Sequence, residues 1–152
     1  MDRYLLNRTF EELTVGDRQV TRGRTITKGD IVNWCALTGD WFVLHTDRVV
    51  AEQSPFRQRI APGLMVLAYA TGLGVPADSP NIIANYGSER VRYPRPTLIG
   101  DTIHLEIEVT EKKERDAGSG VVTLRWDVLN QNGETVCASS LQVLVARERK
   151  RS

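Results

Sequence analysis

From Thr102 onward the chain alternates. Ile103, Leu105, Ile107 and Val109 fall on one side of an extended segment, and His104, Glu106 and Glu108 on the other. The same period of two runs through Val122, Leu124, Trp126 and Val128, and again through Cys137, Ser139, Leu141, Val143 and Val145. A period of two predicts strands with one apolar face. Asn132-Gly133 between the last two predicts a hairpin. One more extended segment lies within NIIANYGSERVRYPRP, residues 81–96.

The first half reads differently. RQVTRGRTIT, residues 18–27, predicts a short strand after a Gly-Asp turn. Thr27 with Asp30 three positions on is a capping-box variant, and Gly39 is placed to stop the helix that follows. Asp47 predicts an N-cap for a short helix, RVVAEQ, ending before Ser54-Pro55. FRQRIAPG, residues 56–63, is a loop. From Pro62, PGLMVLAYATGLGVP is apolar almost all round, with proline at its start and Gly72 and Gly74 near its end, which predicts a buried helix. Strands with one apolar face need a cover. This helix is the element able to supply it. The expectation is an α+β architecture, an antiparallel sheet curled around one long central helix.

With 152 residues and no internal repeat, one domain over 1–152 is expected. Its core should span about 10–146, with a solvated basic tail over 147–152. Composition adds mainly exclusions. A formal net charge of +1 gives no reason to expect a nucleic-acid partner. No apolar run approaches the roughly 20 residues of a membrane span, and the N-terminus lacks a leader-like apolar segment. Cys35 and Cys137 stand apart, without the clustering of a metal site or a disulfide framework, so a reducing cytoplasm is expected. No metal or cofactor is implied.

The candidate chemistry lies in GDWFVLHTD, residues 39–47. It places Asp40 five residues before His45. On a continuous helix these side chains would diverge by about 140°. On a strand they would lie on opposite faces. Cooperation between them requires an irregular path around a cleft. Left to this spacing alone, His45 reads equally as a structural histidine. Asp47 reads as a cap, His104 as a polar-face residue and Cys35 as a small core residue.

Three motifs in order resemble the hot-dog fold of the MaoC-like dehydratases, the family of R-specific enoyl-CoA hydratases. They are Leu37-Thr38-Gly39-Asp40 followed by His45 and Asp47; the loop and helix RIAPGLMVLAYATGL; and RYPRPTLIGDTIHLEIEV. The resemblance implies that Asp40 and His45 are the catalytic pair. It further implies that the Gly63 amide binds the thioester carbonyl, and that Thr71 supports the catalytic carboxylate. It also implies an enoyl or 3-hydroxyacyl thioester of CoA or an acyl carrier as substrate, and a homodimer or an assembly of dimers. The family's Asn-Pro between acid and histidine is replaced by Phe42-Val43, and its His-Gly at the helix entry by Pro62-Gly63. Phe42 and Leu44 are expected to wall the acyl pocket. Arg57, Arg59, Arg90, Arg92 and Arg95 are available for carrier phosphates.

Hydration needs a water oriented and partly deprotonated at C3, a proton delivered to C2, and a stabilised carbonyl oxygen. An imidazole beside a carboxylate suits the first two tasks, and an amide at a helix N-terminus suits the third. Two rivals remain on the same fold: a thioesterase, and a non-catalytic acyl-CoA-binding module.

Overall fold

The computed structural model of the chain describes residues 4–148. In chain order it contains β1 (Arg18–Val20), β2 (Arg24–Thr25), α1 (Lys28–Thr38), α2 (Val43–Thr46), α3 (Arg48–Gln53), α4 (Gly63–Gly74), β3 (Ile82–Arg92), β4 (Thr102–Glu114), β5 (Ser119–Leu129) and β6 (Thr135–Ala146). The strands form one antiparallel sheet in the order β1-β4-β5-β6-β3, with β2 also pairing β4. The segment read as one strand over 18–27 is two, separated at Gly23, where the backbone passes close to the Thr102 side chain.

The alternation is realised as burial. Ile103, Leu105, Ile107 and Val109 on β4 are fully buried, as are Val122, Leu124, Trp126 and Val128 on β5. Each such side chain removed from water contributes roughly 1.5–3 kcal/mol. Leu129 pairs with Thr135 around the Asn132-Gly133 hairpin, where Gly133 takes φ +74°. The core also extends further toward the N-terminus than expected. Leu5 and Leu6 are buried with Phe10 and Leu13, although no periodic pattern marks them.

The central helix α4 lies against β4, β5 and β6. Gly74 permits this close approach: a Cβ there would sit 2.5 Å from Leu105 Cδ2 and 2.6 Å from Trp126 Cη2. The helix is not covered all round. Met65, Val66, Ala70 and Leu73 face the sheet, while Leu64, Ala68, Thr71 and Gly72 are exposed along the opposite stripe. A helix apolar on every face does not reveal which face lacks a neighbour. The basic tail needs a second correction. Arg147 is held by Glu11 at 2.7 Å and Glu114 at 3.0 Å with its side chain mostly covered; residues 149–152 lie outside the described residues.

Candidate active site

Local capping builds the corner that joins Asp40 to His45. Thr27 and Asp30 exchange both hydrogen bonds of a capping box and start α1. Asp30 also accepts from Arg24 at 3.0 Å and from the Tyr69 hydroxyl at 3.2 Å, tying α1 to α4. Burial works to raise the Asp30 pKa, but the Thr27, Arg24 and Tyr69 bonds outweigh it and hold it below its ordinary value. Gly39 ends α1 in the left-handed region at φ +78°, where its amide donates to Cys35 O. The chain then turns. The Asp40 amide donates to Thr38 Oγ1, and Phe42 is extended before the single turn of α2. Asp47 closes α2 and caps α3, its Oδ1 accepting from the amides of Val49 and Val50. A corner followed by one helical turn brings positions five apart to one side, as neither a continuous helix nor a strand does.

His45 Nε2 and Asp40 Oδ2 lie 4.0 Å apart. His45 Nδ1 is 2.8 Å from the carbonyl oxygen of Ile60. A carbonyl only accepts, so Nδ1 carries the proton in the neutral ring and Nε2 is left as a base. The loop holding Ile60 is itself fixed. Ile60 N donates to Leu44 O, Ala61 N donates to Thr97 O, and Ile60 bridges Leu98. Asp101 in turn accepts from the Leu98 amide and from Gln131 Nε2. His45 is buried, whereas half of the Asp40 side chain faces solvent.

Both groups open into a cavity of about 450 Å³. Its apolar lining includes Phe56, Ile60, Ala61, Pro62, Leu64, Val66 and Val136, and Tyr93, Arg95 and Thr97 line it as well. Gly63, the first residue of α4, also lines it. Pro62 caps the helix without a side-chain hydrogen bond, and the leading amides of a helix have no intrahelical acceptor. The positive end of the helix dipole therefore faces the same space as Asp40 and His45.

Several expected residues lie elsewhere. Phe42 is exposed and Leu44 half-buried, and neither lines the cavity. The turn of α2 directs His45 inward and sends its neighbours out; Phe42 only meets the His45 ring edge at 5.7 Å. Thr71 is exposed two turns along α4, and its hydroxyl donates to Leu67 O at 3.2 Å rather than to Asp40. Arg57, Arg59, Arg90 and Arg92 lie outside the cavity lining. Arg95 lines it and pairs with Glu134 at 3.3 Å. Cys35 is held as a thiol, by burial first and then by the Asp40 charge. Tyr93, within the RYPRPTLIGD motif, also lines the cavity, although the motif by itself assigns it no role. Phe56, Val66, Thr97 and Val136 carry no local signal.

The MaoC like domain family matches residues 10–131, and the chain belongs to that family. The architecture is the hot-dog fold. The chain is 41% identical over 103 residues to protein MaoC of Klebsiella aerogenes, covering 68% of this chain and 31% of that protein. It is 31% identical over 103 residues to 3-hydroxybutyryl-CoA dehydratase of Methylorubrum extorquens, covering 67% of this chain and 64% of the relative. It therefore spans about a third of the first and under two thirds of the second. The solved structure of a monoamine oxidase regulatory protein from Archaeoglobus superposes with a TM-score of 0.88 at 37% identity, over 93% of this chain and 96% of that one. Among the described residues, no helix is long and apolar enough to cross a membrane.

Proposed function

We propose that this chain is a hydratase/dehydratase acting on the C2=C3 bond of an enoyl or 3-hydroxyacyl thioester, with Asp40 and His45 as its catalytic pair. The observation that carries the reading is the convergence of His45 Nε2, Asp40 Oδ2 and the Gly63 end of α4 on one cavity. A water oxygen about 2.8 Å from both side-chain atoms fits their 4.0 Å separation. In hydration the water oxygen bonds to C3 while His45 Nε2 takes its proton. The C=C electrons move toward the thioester carbonyl, whose oxygen is held by the Gly63 N–H. The imidazolium then returns the proton at C2. Asp40 orients the water and stabilises the imidazolium. Dehydration is the same path reversed. Relatives named as acting on CoA thioesters support acyl-CoA as the carrier, and Arg95 at the cavity is the arginine we assign to carrier phosphate.

A homodimer belongs to the same proposal. Among the described residues β3 leaves one edge of the sheet unpaired and exposes Ile83 and Tyr86, and α4 exposes Leu64 and Ala68. A cytoplasmic location completes the reading.

Crotonyl-CoA and longer enoyl-CoA esters test it. Loss of conjugated absorbance without release of free thiol is expected, with Asp40→Asn and His45→Gln each lowering kcat by about 10²–10⁴-fold. Thiol release would replace this reading by a thioesterase. Neither signal, with binding retained, would leave an acyl-CoA-binding module.

A further inference from the structure

Tyr93 touches Gly63 with the phenol end of its ring. A Cβ built on Gly63 would lie 2.8 Å from Tyr93 Cζ and 2.9 Å from both Cε1 and Cε2. The para carbon, not the base of the ring, is therefore centred on the glycine. The hydroxyl is one bond beyond that carbon. Tyr93 lines the same cavity as Asp40 and His45. Among the described residues its hydroxyl has no hydrogen-bond partner. Phenylalanine would cover Gly63 equally well, so the hydroxyl is the one group that tyrosine adds at this end of the cavity.

We propose that the Tyr93 hydroxyl is a second hydrogen-bond donor to the thioester oxygen held at the Gly63 amide. The proposal rests on the preceding reading in one respect: a thioester carbonyl occupies this end of the cavity. Two donors on one oxygen match the charge that grows there as C3 is attacked. Burial first, and then Cys137, push the Tyr93 pKa above its ordinary value, so the phenol keeps its proton through the neutral and mildly alkaline range. The role also explains the pairing of residue types. Glycine at 63 leaves room for the ring, and tyrosine at 93 brings a donor to the place where a side chain at 63 would otherwise stand.

The test is Tyr93→Phe, which keeps the ring and removes only the hydroxyl. Butyryl-CoA carrying a ¹³C-labelled thioester carbonyl serves as the probe, since it has no double bond to hydrate. Infrared difference spectra should show the bound carbonyl stretch lowered in the wild type. In Tyr93→Phe the stretch should move part of the way back, at an unchanged Tm. With crotonyl-CoA, kcat should fall by about 100-fold while KM changes little. The same carbonyl stretch in both proteins, or failure of the wild type to bind butyryl-CoA, overturns the proposal. A wild type that turns over no enoyl-CoA, yet shows the Tyr93-dependent stretch, sinks the hydratase reading and upholds the Tyr93 contact.

Discussion

Replacing Gly63 by alanine adds one methyl group at the point where α4 meets the cavity. That methyl would stand 2.8–2.9 Å from three carbons of the Tyr93 ring. Carbon atoms in comfortable contact are about 3.5–4.0 Å apart, so the ring must retreat by about 1 Å. Tyr93 is partly exposed and Gly63 sits at a helix end, so the ring has room to swing. Overpacking of this kind costs about 1–3 kcal/mol in a closed core and falls at the low end here. Alanine in place of glycine returns up to about 1 kcal/mol of helix propensity. The net change should stay within about 2 kcal/mol, a Tm loss of under about 8 °C for a chain of this size. Activity should respond far more. The displaced Tyr93 ring lines the same cavity as Gly63, so its retreat disturbs the carbonyl site beside the amide, and loss of one such donor lowers kcat by about 10²–10³-fold. Thermal melts and initial rates on the same preparation separate the two effects. A folded Gly63→Ala protein with wild-type kcat/KM would show that the Gly63 amide does not hold the reacting carbonyl.

Gly74→Ala should act in the opposite sense. Its methyl would press on Leu105 and Trp126 inside the core, so a loss of about 1–3 kcal/mol or more is expected in urea titrations, with activity preserved per folded molecule. Asp30 has a folded-state pKa below its unfolded value, so its stabilisation is fully present above the unfolded pKa near 4 and is lost as pH falls through the lower folded value. Asp30→Asn should therefore lower stability by about 1–3 kcal/mol at neutral pH and flatten the acid limb of the stability profile, read from denaturation midpoints between pH 2 and pH 6. The Cys137 thiol is pushed up to about 11, by burial first and then by Asp127. At pH 8 only about one Cys137 in a thousand carries the thiolate; Cys35 is buried with its pKa also raised, so neither should react with a disulfide reagent until the protein unfolds. Rapid labelling of the native protein would contradict the buried positions of both.

Legibility in the sequence followed the range of the interactions involved. The bounds of α1 and α3 rest on Thr27, Asp30, Gly39 and Asp47, which bond to backbone groups within a few positions, so local chemistry suffices to place them. The inward faces of β4, β5 and β6 follow from a period of two, which burial alone enforces. The exposed stripe of α4 was not legible, because an apolar helix does not say which of its sides finds a neighbour. Phe42 and Leu44 lie between Asp40 and His45, a position that suggests the cavity wall, but the direction of side chains through α2 is decided by the corner at Gly39. Leu5 and Leu6 entered the core without a periodic signal because they lie in a single 3-10 turn, Leu5–Asn7, too short to repeat a pattern. Tyr93 reaches Gly63 from thirty positions away, across the turn after β3, and only the folded backbone brings the two together.

The central claim is that Asp40 and His45 deliver a water to C3 of a thioester held at Gly63. Incubating wild type and Asp40→Asn with crotonyl-CoA in ¹⁸O-labelled water, with mass spectrometry of the products, tests it most directly. The account predicts one ¹⁸O in the C3 hydroxyl of an intact 3-hydroxyacyl-CoA from the wild type, and almost none from Asp40→Asn. Label appearing in a free carboxylic acid, or equal labelling by the two proteins, would contradict it.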